Sequence, residues 1–224
     1  MPPNFLSAVI IAHNEERNLA RCLGSLKGVV DEVLVVDSGS SDRTVDIAKE
    51  YGARVLTHTF EGHIQQKNWA AEQATGLWLL SLDADEALSP ELAAAICALR
   101  AEPPELGIHG YRMNRLTSYC GCWVRHGGWY PDSKLRLWRA GNAKWGGNNP
   151  HDRLELNSVG EIGFLKGDLL HYSYHSIDDH RRQIVYFSDI AAETYQGKYW
   201  LALPAIRPIK VGFQWLKNAI FRGG

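Results

Sequence analysis

The chain has 224 residues, a formal net charge of −1, 45% hydrophobic and 22% charged residues. That is an ordinary globular composition, with length for one large domain or two small ones. The near-zero charge excludes the global basic field of a nucleic-acid binder, and with no run of ~18 apolar residues no membrane span is expected.

The opening MPPNFLSAVIIA has neither the basic start nor the cleavage site of a signal peptide. Cys22, Cys97, Cys120 and Cys122 are too few and too uneven for a disulfide framework, so a reducing, cytoplasmic compartment is expected. The pair Cys120 and Cys122 with His126 lacks a second pair at zinc-finger spacing and is read as loop thiols. The eight tryptophans suit sugar contacts and core packing alike.

Leu6–Ala12 (LSAVIIA) is a continuous apolar run, expected as a strand covered on both faces. Asn14 is expected to cap the next helix, with Glu15 and Glu16 in its first turn and Leu19, Cys22, Leu23 and Leu26 on its buried face. Asp31–Asp37 is a second buried strand; SGSSDRT leads into a helix ending near Tyr51 and stopped by Gly52. ARVLT forms a third strand, Ile64–Thr75 a helix closed by Gly76, and Leu77–Asp83 a fourth strand. Ser89, Pro90 and Glu91 start a helix that runs to about Arg100, where EPPELG ends it.

Beyond Glu105 the pattern changes. GIHGYRMNRL and KLRLWRA read as strands of a mixed or antiparallel region, separated by the Gly- and aromatic-rich Tyr119–Asp132. WGGNNPHDRLEL and GFLKGDLLHYSYH follow, then a helix from Ser176 to Tyr195 with Ile184, Val185, Phe187, Ser188 and Ala191 near one stripe. The fold class is α/β: a mostly parallel, Rossmann-like sheet flanked by helices, a mixed or antiparallel region, and C-terminal helices.

In such sheets ligands bind outside the carboxyl ends of the strands. Here those ends carry His13, Asn14 and Glu15, then Asp37, Ser38 and Gly39, then Asp83, Ala84 and Asp85. Two aspartates one residue apart suit a divalent cation shared with a diphosphate, which supplies the remaining oxygens. The cation neutralises charge on a leaving diphosphate. Asp37 accepts hydrogen bonds from a base or ribose, or caps the SGSSD turn. Glu86 is expected to turn away in the loop before Ser89. The lack of G-x-G-x-x-G after the first strand argues against a dinucleotide enzyme.

VIIAHNEERNL, DEVLVVDSGSSDRT, QKNWA and WLLSLDADE together resemble the inverting family-2 glycosyltransferases of GT-A fold, closely over Ser7–Leu88. GGWYPDSKLRLWR and PHDRLEL are similar to one branch, which contains lipopolysaccharide inner-core β-1,4-glucosyltransferases. The resemblance implies a nucleotide pocket of His13, Asn14, Glu15, Asp37, Lys67, Asp83 and Ala84, with Lys67 and Asn68 matching a family pair. It implies Mg²⁺ or Mn²⁺ on Asp85 with Asp83, and His171 near the diphosphate or metal. An inverting transfer needs a base to take the acceptor's proton; Asp152 stands where the branch carries an acid, with Glu155 as the fallback. Trp129, Tyr130, Arg136 and His151 fall where acceptor contacts are expected.

The resemblance divides the chain into a nucleotide-sugar half (1–105), an acceptor and base half of the same domain (106–175), and a helical extension (176–224). The implied partners are a UDP-sugar, UDP-glucose first, and a lipid-linked saccharide, with no nucleic acid. The tail sets Arg207, Lys210, Lys217 and Arg222 among Ile206, Phe213, Trp215, Leu216 and Phe221. It reads as a peripheral anchor on the inner membrane leaflet or as a helix packed on the body. Two alternatives stand beside the transferase: a catalytically silent nucleotide-sugar-binding protein on the same fold, and a nucleotidyltransferase, for which AHNEERN offers no phosphate-cradling glycine loop.

Overall fold

The computed structural model describes residues 4–101, 107–148, 151–157 and 160–195. The EPPELG break and the basic-aromatic tail fall largely or wholly outside them.

Strand β1 (Leu6–Ala12) is buried along almost its whole length. Successive side chains point to opposite faces. Leu6, Ala8, Ile10 and Ala12 enter one core cluster with Leu19, Cys22, Leu23 and Leu26. Val9 enters another with Leu34, Val36 and Ala70. Both faces are covered, so the strand can be apolar at every position. Strands β2 (Glu32–Asp37) and β4 (Trp78–Asp83) pair in parallel on either side of β1, and β3 (Arg54–Thr57) pairs in parallel with β2.

The sheet continues past β4 through β8 (Asp132–Arg139), β6 (Ile108–Tyr119), β11 (Glu161–Tyr174) and β5 (Glu86–Leu88), in that order. Strand β8 is antiparallel to β4, and β5 is antiparallel to β11. Strands β9 (Ala143–Asn148) and β10 (His151–Leu156) form a separate antiparallel hairpin. The α/β class with a parallel half and a mixed remainder is therefore what the chain adopts.

The helices are α1 (Leu19–Leu26), α2 (Thr44–Glu50), α3 (His63–Gln73), α4 (Pro90–Ala101) and α5 (Ile177–Tyr195). Helix α1 starts later than expected. Asn14 has φ 55° and spends its side-chain oxygen on the Ser41 amide at 2.8 Å, so it ties two loops together and does not cap α1. The α4 start is as read: the Ser89 hydroxyl accepts the Leu92 amide at 3.2 Å. Ile184 and Val185 of the stripe on α5 are 52% and 62% exposed. Gly76 is required by close approach, because a Cβ there would lie 2.6 Å from the Ser7 backbone nitrogen.

One compact unit takes the chain to Arg115 and again from Ser133 to Tyr172; a second takes Leu116–Asp132 and the chain from Ser173. In the second, β7 (Cys122–Trp123) pairs with the end of β6, and Cys120 and Cys122 are free and exposed. Among the described residues no helix is long and apolar enough to cross a membrane.

Candidate functional site

The parallel register builds the rim. Ala12 at the end of β1 lies opposite Asp37, and Ile11 opposite Asp83, so the two aspartates flank the strand from which His13, Asn14 and Glu15 continue. Asp37 is 3% exposed. Its Oδ2 accepts the amides of Gly39 and Ser40 at 2.9 and 3.0 Å, and its Oδ1 the Ser40 hydroxyl. This carboxylate shapes its own loop. His13 is exposed and contacts Asn14 at 3.3 Å. The Glu15 amide donates to the Thr44 hydroxyl at 2.7 Å. Burial pushes the Glu15 carboxyl up to about 7; the Asn18 hydrogen bond opposes this, and the charges of Asp85 and Asp83 add to it. Ala84 is buried between the two motif aspartates.

The expectation for Glu86 is corrected. It does not turn away: it opens β5, is 1% exposed, and its Oε2 accepts the Asp83 amide at 2.9 Å. Arg136, 4% exposed on β8, donates from Nη2 to Asp83 Oδ2 at 3.0 Å and to Glu86 Oε1 at 3.1 Å. Arg115 approaches Glu86 at 3.8 Å. Burial raises the Glu86 carboxyl, and the Arg136 charge pulls it only part of the way back. Arg136, expected among acceptor contacts, is thus a buried cation beneath the aspartates.

Lys67 projects from α3 at 6% exposure. Its ammonium lies 2.9 Å from Asp83 Oδ1 and 2.8 Å from Asp152 Oδ2. Burial would raise the Asp83 carboxyl, but Lys67 and Arg136 outweigh it and hold the group well below the usual carboxylate range. Asp152 sits on β10, opposite Gly147. The chain of contacts therefore runs Asp152, Lys67, Asp83, Arg136, Glu86, with alternating charge. The ring of Trp145 lies 4.4 Å from the Lys67 nitrogen and 5.4 Å from the Arg136 guanidinium.

Asp85 takes a different partner. Its Oδ2 lies 3.2 Å from Nε2 of His171, and its carbonyl accepts the Tyr172 amide at 2.9 Å. Burial lowers the His171 imidazole, but the Asp85 hydrogen bond and charge more than reverse this. Pairing of β5 with β11 sets His171 opposite Glu86. Among the described residues no three His, Cys, Asp or Glu side chains gather around one point for a metal. Asp85 and His171 do supply an oxygen and a nitrogen at one place, which fits a cation whose other ligands come from a diphosphate. Both oxygens of Asp83 are committed to cations, so Asp83 fits a metal less well.

Trp129 and Tyr130 belong to the second unit. Trp129 is 41% exposed and meets Tyr119 edge to face at 6.3 Å; Tyr130 has Arg125 at 5.8 Å. His151 opens β10 opposite Asn148. Sequence reading missed Glu86, Arg115 and Trp145 as members of the site. The available signal was Arg136, a charge inside the apolar run of KLRLWRA.

Residues 7–147 match the family model described as glycosyl transferase family 2. An uncharacterized glycosyltransferase of Rickettsia typhi is 34% identical over 212 residues, covering 86% of this chain and 69% of that protein. The lipopolysaccharide core biosynthesis glycosyltransferase LpsC of Rhizobium meliloti is 32% identical over 184 residues, covering 77% of this chain and 64% of that protein. S. aureus TarS 1-349, crystallised in complex with UDP-GlcNAc, is alike in fold, with a TM-score of 0.51 and 16% identity over 87% of this chain and 68% of that one.

Proposed function

This chain belongs to glycosyl transferase family 2 and is a glycosyltransferase, and from that premise we propose that it transfers a hexose, glucose first, from a UDP-sugar to a lipid-linked saccharide with inversion. The acceptor hydroxyl attacks the anomeric carbon, its proton passes to Asp152, and the bond from that carbon to the diphosphate oxygen breaks, its electron pair leaving with UDP. Asp85 with His171 would hold a divalent cation, Mg²⁺ or Mn²⁺, which when bound would supply positive charge to a departing diphosphate. His13, Asn14, Glu15 and Asp37 border the nucleotide, and Asp83 meets the ribose. Trp129, Tyr130 and His151 contact the acceptor sugar.

One observation carries the reading: Asp83 at the strand-end rim and Asp152 on a separate hairpin grip the same ammonium. This shared contact supports the reading in which a donor-side carboxylate and a base carboxylate serve one reacting centre. The UDP-GlcNAc bound by TarS favours a UDP-sugar donor, and the name of LpsC favours a lipopolysaccharide core acceptor. The basic-aromatic tail suits contact with the inner face of an anionic membrane.

Calorimetric titration with UDP-glucose, with and without Mn²⁺, tests the donor. Binding that needs the metal and is lost in Asp85→Ala is expected. Folded protein that binds neither UDP nor any UDP-sugar would refute the donor assignment. The base is tested by Asp152→Asn, which should bind UDP-glucose normally and lose about 100-fold or more in kcat.

A further inference from the structure

Lys67 and Asn68 are neighbours on α3, and both reach the hairpin that carries Asp152. The Asn68 amide donates to the Trp145 carbonyl at 2.9 Å and accepts the Trp145 amide at 2.8 Å. Trp145 and its cross-strand partner Leu154 pack with Leu79, Leu135 and Trp138, against Ile64, Ala71 and Ala74 of the α3 segment. Helix α3 is therefore the seat of the hairpin. Lys67 adds a charged contact from that seat to Asp152. An ammonium has three donors and no acceptor. Two of the three are already spent on Asp83 and Asp152, and the side chain is 7% exposed.

We infer that Lys67 is a positioning residue for the base Asp152 and not a ligand of the nucleotide sugar. It locks the Asp152 carboxylate at a fixed offset from Asp83, so the base on the hairpin keeps register with the donor on the sheet. The inference rests on the transferase reading with Asp152 as base. Removing the ammonium leaves Asp83 with Arg136 at 3.0 Å, so the donor side keeps its geometry. Asp152 loses the only side-chain hydrogen bond it makes among the described residues. A shift of about 1 Å in such a group costs on the order of 100-fold in rate.

The experiment follows UDP release from UDP-glucose with Mn²⁺ and water as acceptor, in wild type, Lys67→Met, Lys67→Arg, Asp152→Asn and the Lys67→Met/Asp152→Asn double variant. Lys67→Met should lower kcat about 100-fold while KM for UDP-glucose stays within about twofold. Lys67→Arg, which keeps the charge, should recover to within about tenfold of wild type. Added to Asp152→Asn, Lys67→Met should cost under about threefold more, because it acts through the group already removed. A KM raised about tenfold or more with kcat kept would make Lys67 a donor ligand and overturn the inference, as would additive losses in the double variant. Thermal melts check folding; if Lys67→Met does not fold, Lys67→Gln takes its part in the cycle. Wild-type protein that releases no UDP overturns the donor reading and this inference with it, whereas active wild type with an additive cycle overturns this inference alone.

Discussion

Arg136→Met is the sharpest test of how the acidic rim is held. The substitution keeps most of the stem volume and removes a guanidinium that touches Asp83 at 3.0 Å and Glu86 at 3.1 Å. Asp83 still has Lys67 at 2.9 Å. Glu86 keeps the Asp83 amide and Arg115 at 3.8 Å, so most of the loss falls on a fully buried carboxylate. Depriving a buried ion pair of one partner costs about 3–5 kcal/mol. For a chain of this size each kcal/mol moves the melting midpoint by about 2–4 °C, so the midpoint should fall by roughly 6–20 °C. Circular dichroism at 222 nm reads the melt. The sign of the pH dependence follows from Glu86, whose folded carboxyl lies above its ordinary value. Its neutral form is tolerated below the ordinary carboxylate range, and the penalty grows as pH rises through the raised value. Arg136→Met should therefore approach wild type near pH 4.5 and differ most at pH 8. Adding Glu86→Gln removes the stranded charge and should restore about half the loss. A drop under about 2 °C, or a double variant less stable than the single, would refute the argument.

Gly76→Ala should leave little folded protein on expression, because its Cβ would meet the Ser7 backbone nitrogen at 2.6 Å; soluble protein melting within about 2 °C of wild type would contradict the clash. Glu32 gathers the hydroxyls of Ser7 and Thr75, the Thr75 amide and Arg54. Burial raises its carboxyl, but those hydrogen bonds win and lower it. Its stabilisation is present above the ordinary carboxyl range and lost as pH falls through the lowered value, so the gap between wild type and Glu32→Gln in urea melts should close toward pH 3. Leu23→Ala, at 3% exposure in the main core, should cost about 2–5 kcal/mol in the same melts.

What the sequence disclosed divides along a physical line. The parallel half was legible because burial there is written locally: β1 runs Leu6–Ala12 as read, and the four apolar positions of α1 are all buried. The site was only half legible because its burial is polar. The buried residues of α3 are Gln66, Lys67 and Ala70, a face that hydrophobic periodicity assigns to solvent. Glu86 lies in a strand of three residues, and its partner Arg136 is 50 positions away. Nothing within one helical turn or one hairpin of Glu86 announces that a cation will cover it.

The three neighbouring acids of LDADE are tolerable because each meets a different partner set. Asp83 has Lys67 and Arg136, Glu86 has Arg136 and Arg115, and Asp85 has His171. These partners differ in kind. Lysine and arginine offer only donors, so neither can share a metal ion with the carboxylate it holds. Displacing either from Asp83 would break a buried ion pair. Histidine can present a donor or a lone pair, so Asp85 and His171 can turn together from holding each other to holding a cation. In the proposed reaction the first aspartate is therefore part of the scaffold that aligns donor and base, and the exchange with metal and diphosphate falls to the second.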